Sequence, residues 1–140
     1  MPVSPNDLEA FARSLAESEP GEAGQRCAVS RLYYSAYHRA LPLRDHLEPP
    51  SRAPKGLHDA LIRRLTEAHH PDISKGTRKK IRAVGYALKR MKRDRVTADY
   101  FLDEEVGAAE VQQNFRELKR LQAKLRDAER LLLGASEDHP

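Results

Sequence analysis

Apolar residues recur every three or four positions along most of this chain and nowhere alternate over a strand's length, so the pattern predicts helices and no sheet. The first helix is expected over 5–16, with Ser4 as N-cap, Pro5 in the first turn and Leu8, Phe11, Ala12 and Leu15 on its apolar face. Glu19-Pro20-Gly21 stops it. A second helix covers 22–41 and kinks or restarts at Pro42, with Leu43 and Leu47 beyond. The segment 48–54 carries three prolines and reads as a loop. A third helix is predicted over 56–68, with Leu57, Ala60, Leu61 and Leu65 facing inward, and His69-His70-Pro71-Asp72 ends it. Ser74 or Thr77 caps a fourth over 76–98, whose inner stripe is Ile81, Val84, Leu88 and Met91. Asp103-Glu104-Glu105 places negative charge at the start of a fifth, 104–132, with Val111, Phe115, Leu118, Leu121, Leu125 and Leu132 inward and fraying at Gly134. The expected fold is all-α: an antiparallel up-and-down bundle of four to five helices, one domain over 1–133 with a flexible tail over 134–140.

Composition narrows this picture. Aromatic residues are 6% and tryptophan is absent, so the core must be built from Leu, Ala, Val and Tyr. One cysteine excludes an internal disulfide and suits a reducing compartment. Cys27 lies in a helical apolar pattern and is expected to be a small buried hydrophobe. No apolar run approaches the roughly 20 residues that span a bilayer, and the first residues do not form a signal peptide. A cytoplasmic protein without a membrane partner is expected.

The net charge of +4 hides a local bias. Between Lys75 and Arg95 there are ten basic residues and one acid, Asp94. The basic set is Lys75, Arg78, Lys79, Lys80, Arg82, Lys89, Arg90, Lys92, Arg93 and Arg95. Such a helix attracts the backbone of RNA. An acidic protein partner is the other occupant, and a solvated face paired with Glu104, Glu105 or acids of the last helix is the bland alternative.

Candidate chemistry concentrates in the second helix, which holds three of the five tyrosines. Arg31 and His38 are seven apart and differ in direction by about 20°, with Tyr34 and Ser35 on the turns between them. Arginine can hold a phosphate and histidine can move a proton. The competing reading pairs Arg31 with Asp99 inside the bundle, hydrogen-bonded about by Tyr34 and Tyr100. Neither a glycine-rich phosphate loop nor a Gly-x-Ser-x-Gly elbow occurs, and no cofactor is expected. His69, His70 and Asp72 lack a second ligand pair, so no metal is expected there either. His58, opening the third helix, reads as a capping or packing residue.

Two stretches together carry a resemblance. Ser30-Arg31-Leu32-Tyr33-Tyr34-Ser35-Ala36-Tyr37-His38-Arg39-Ala40-Leu41 and Arg95-Val96-Thr97-Ala98-Asp99-Tyr100 resemble paired motifs of HEPN-domain proteins. Lys55-Gly56-Leu57-His58 is similar to the segment before the third helix of that family. The likeness spans about Leu8 to Leu132. It implies a helical bundle, often a homodimer, found with nucleotidyltransferase-like antitoxins or in toxin–antitoxin and phage-defence systems. Active members are metal-independent ribonucleases whose arginine and histidine meet across two subunits. By that resemblance Arg31, His38 and Arg95 are the catalytic candidates; the competing reading of the residues themselves makes Tyr34, Asp99 and Tyr100 a structural polar cluster. Active members usually carry their motif on a later helix, where this chain has Arg95 to Tyr100 and no histidine. Two functions stand side by side: an RNA-binding or RNA-cleaving protein, and a non-catalytic module that binds a protein partner.

Overall fold

A computed structural model describes residues 2–19, 21–49, 52 and 55–137. Five α-helices make up the molecule: α1 (Pro5–Ser18), α2 (Glu22–Ala40), α3 (Leu57–Glu67), α4 (Lys75–Tyr100) and α5 (Ala108–Glu137). A short 3₁₀ segment, Leu41–His46, follows α2. No strand occurs among the described residues. The bundle expected from periodicity is therefore the fold, and most helix ends fall within three residues of expectation. Much of the proline-rich loop, Pro50, Ser51, Ala53 and Pro54, lies outside the described residues.

The helix starts follow the local chemistry. Ser4 and Asp7 form a capping box, each side chain taking the other's backbone N–H. Ser74 rather than Thr77 caps α4, its hydroxyl accepting the Thr77 N–H at 3.2 Å. Gly56 enters α3 with φ of 95°, a left-handed conformation that glycine adopts without strain. α5 departs from expectation at both ends. It begins at Ala108 because the preceding segment is drawn into a turn: Glu22 accepts the Val106 N–H, and Gly107 N–H donates to Glu110. It continues past Gly134 to Glu137, and residues 138–140 lie outside the described set.

α2 is the central helix. Buried residues surround most of it, Ala28, Val29, Leu32, Tyr33 and Ala36 among them, and it packs against α1, α4 and α5. α3 packs on α4, where Gly85 lets the helices meet: a Cβ there would lie 2.8 Å from both Leu65 Cβ and Thr66 N. The α4–α5 seam is antiparallel and polar at its edge. Asn114 donates to Asp94, Glu117 pairs with Arg90, and Lys80 reaches Asp127 at 3.5 Å. Ile81, Val84, Leu88 and Met91 are fully buried, as their spacing requires. Three apolar expectations fail. Leu57 is exposed, and Ile62 takes its place in the core. Phe11 faces solvent, and so does Cys27.

Candidate functional site

Cys27, Arg31, Tyr34 and His38 follow one another at helical spacing, and the fold turns this stripe of α2 outward. That arrangement is why Cys27 is exposed while its neighbours Arg26 and Ala28 are buried. Arg31 lies with its guanidinium carbon 4.7 Å from the centre of the Tyr34 ring and donates to Ser30 Oγ at 3.1 Å. It makes no ion pair among the described residues. His38 is exposed and rests edge-on against Tyr37, ring centres 5.1 Å apart.

The partner of Asp99 is Arg95, not Arg31. Arg95 Nε is 2.9 Å from Asp99 Oδ2, one helical turn along α4. Arg95 also donates to the Tyr34 hydroxyl at 2.9 Å and stacks near the Tyr100 ring at 5.6 Å. Ser30 donates to Asp99 at 3.2 Å, so Arg31 reaches Asp99 only through that hydroxyl. The i, i+4 geometry on α4 explains the choice, since Arg95 needs no crossing between helices to meet Asp99. Arg31, Tyr34, Arg95, Asp99 and Tyr100 thus form one network between α2 and α4, with Arg95 at its centre. Asp99 and Tyr100 are exposed rather than turned inward.

His58 adjoins this network through the tyrosines. Its Nδ1 is 2.8 Å from the Tyr33 hydroxyl, and its ring centre is 4.4 Å from that of Tyr37. Burial, then the nearby positive charges of Arg95 and Lys92, hold its pKa below the ordinary imidazole value. Burial pushes the Tyr33 hydroxyl upward, so it stays protonated. A neutral imidazole is therefore held among three tyrosines, as a packing residue first. His69 and His70 lie in the turn after α3, where His70 Nδ1 accepts the Asp72 N–H. No group of three or more metal-ligating side chains occurs among the described residues.

Sequence reasoning missed Arg26. It is buried at the core edge and donates to the carbonyls of Thr97, Ala98, Phe101, Leu102 and Glu104, and to the Glu22 carboxylate. Those carbonyls lie at the C-terminus of α4 and in the turn beyond it, where Thr97 and Phe101 also accept backbone N–H groups from Phe101 and Glu104. The signal was available: Arg26 shares its direction on α2 with Val29, Tyr33, Tyr37 and Ala40, an inward stripe. Val106 N–H and Arg26 together hold the Glu22 carboxyl below its usual range.

The cations of α4 divide by direction. Lys80 and Arg90 face α5 and pair with Asp127 and Glu117. Lys92 faces α3 and pairs with Asp59, and Arg95 faces α2. Lys75, Lys79, Arg82, Lys89 and Arg93 point outward within an arc of about 80°. Lys75, Lys79 and Lys89 have no ion pair among the described residues, Arg93 only its chain neighbour Asp94 at 3.9 Å. Arg82 donates to Glu67 O at 3.3 Å at the end of α3. Arg78 stands half-buried at the edge of this stripe. The alternative of a face paired with Glu104, Glu105 or acids of the last helix thus holds for Lys80 and Arg90, while Lys92 and Arg95 find their acids on α3 and on α4 itself.

No family model, curated protein or solved structure matches the chain. No described helix is long and apolar enough to cross a membrane.

Proposed function

We propose that this chain is a HEPN-like protein that holds RNA along the outer stripe of α4, in a toxin–antitoxin or phage-defence setting in the cytoplasm. The observation that supports it is the sorting of charge. Lys75, Lys79, Arg82, Lys89 and Arg93 share the solvent-facing side, while the remaining cations of that helix, Arg78 apart, are matched by acids. Unmatched charge spread over several turns suits a polyanion, which releases counterions as each phosphate is neutralised. The test is RNA binding by a Lys75→Glu, Lys79→Glu, Lys89→Glu triple variant. These three sites touch no ion pair of the fold, unlike Lys80. Binding should be lost with the melting temperature retained, and unchanged affinity refutes the proposal.

RNA cleavage is the catalytic form of this reading. Arg31 would stabilise charge on the phosphorane, and His38 would move the proton of the 2′-OH or the leaving oxygen, one from each subunit of a homodimer. Support comes from the exposure of His38, from the half-buried position of Arg31 on the same outward stripe, and from the charge of Arg31, unpaired among the described residues. Arg95 is engaged by Asp99 and Tyr34, so its role here is to position the network. His38→Ala should abolish cleavage without lowering stability.

The second reading, a non-catalytic module for a nucleotidyltransferase-like partner, is favoured by a different feature. Tyr100, Phe101 and Leu102 project into solvent at the end of α4, and Arg26 holds the Phe101 and Leu102 carbonyls in place. A Phe101→Ser, Leu102→Ser variant that loses a co-purifying protein and keeps RNA binding would favour that reading.

A further inference from the structure

Tyr86 stands in the middle of the basic stripe and is half exposed, although its ring would be expected inside in a chain with so few aromatics. Lys79 precedes it by seven residues and Arg93 follows by seven, so cations lie about 10 Å to either side along the helix axis. A concavity of about 650 Å³ opens along this face, lined by Lys75, Arg78, Lys79, Arg82, Ala83 and Tyr86. That volume falls in the range that encloses a small organic ligand. Ala83 and the Tyr86 ring give it an apolar wall, and the four cations surround it with positive charge.

We infer that the outer face of α4 takes single-stranded rather than duplex nucleic acid, with a base stacked on Tyr86 and the flanking phosphates on Lys79, Arg82 and Arg93. This rests on the RNA-binding reading and adds the form of the ligand. A duplex keeps its bases inside and offers this face only sugars and phosphates. Tyr86 would then lose hydration without gaining a stacking partner. An unpaired strand offers both a phosphate chain for the cations and a π-face for the ring, the combination that single-strand binders use. From Lys75 to Arg93 the stripe is about 27 Å long. That length accommodates a short strand, within the ~4–16 nucleotides typical of such sites.

The test measures fluorescence anisotropy with a labelled 12-nucleotide single-stranded oligouridine and with a 12-base-pair RNA duplex. Tyr86→Ala should weaken single-strand binding roughly 5- to 100-fold and leave duplex binding unchanged. Tyr86→Phe should restore the single-strand affinity, because the ring rather than the hydroxyl is used. An oligonucleotide with abasic residues should bind the wild type as weakly as the intact one binds Tyr86→Ala. If Tyr86→Ala binds oligouridine as the wild type does while Lys79→Glu with Lys89→Glu does not, the stacking inference is overturned and the RNA reading stands. If the wild type binds neither RNA, both fall together.

Discussion

Arg26 concentrates more of the fold's polar bonding than any other described side chain. Its guanidinium satisfies the end of α4 and the turn that leads to α5, where water is excluded from part of the surface. Arg26→Ala leaves several carbonyls without donors and removes a buried charge from its place, a loss of roughly 3 kcal/mol. Arg26→Lys should recover little of it, since an ammonium cannot reach acceptors spread along the turn as a planar fork does. Urea denaturation of the two variants measures both. His58 sets a pH dependence. Its folded pKa lies below the 6.5 of a free imidazole, so the unfolded chain binds the extra proton. The stability it contributes is therefore complete above about pH 6.5 and is lost as pH falls through the folded value. Melting temperature should decline between pH 7.5 and 5, and His58→Gln should flatten that decline. An equal slope in both proteins would show that His58 does not carry it.

Among the elements, α4 meets three helices and solvent on different sides, and its residues differ accordingly. Gly85 marks the contact with α3, where only a hydrogen leaves room for Leu65 and the Thr66 backbone. Gly85→Ala gains helix propensity but forces the helices apart, and overpacking of this kind costs about 1–3 kcal/mol. A calorimetric melt should show the variant destabilised despite alanine's preference for helix. At Gly76 of the same helix, where a Cβ would meet nothing within 4 Å, alanine should be neutral or stabilising. α2 is the opposite case. It is buried on most sides, and only the narrow stripe of Cys27, Arg31, Tyr34 and His38 reaches the surface region where α4 adds Arg95 and Asp99.

For the molecule as a whole, charge placement leads to a salt dependence. Four to five unmatched cations on α4, each displacing a counterion from single-stranded RNA, give a slope of log affinity against log salt of about −3. The Lys75→Glu, Lys79→Glu, Lys89→Glu variant should bring that slope close to zero. Binding that ignores salt in the wild type would point the basic face toward something other than a polyanion. The composite form of cleavage has its own requirement. Light scattering at micromolar concentration should report two copies per particle, and a monomer that still cleaves RNA would rule out a shared site.

Helical class, the number of helices and most of their limits were legible in the sequence, because apolar spacing, Ser4, Ser74 and the proline-rich breaks act locally. So was the candidate stripe from Arg31 to His38, whose shared direction on α2 follows from helix geometry alone. Which partner each charge takes was not legible. Asp99 meets Arg95 because i, i+4 neighbours on one helix lie closer than residues on two, and Arg26 was passed over because its acceptors are backbone carbonyls more than 70 residues away. The start of α5 likewise depends on Glu22, far off in the chain. The run from Lys75 to Arg95 announced a basic helix. Tertiary packing decided which of its cations are matched by acids on α3 and α5 and which remain exposed with Tyr86, because a helix direction acquires a neighbour or solvent only once the bundle closes.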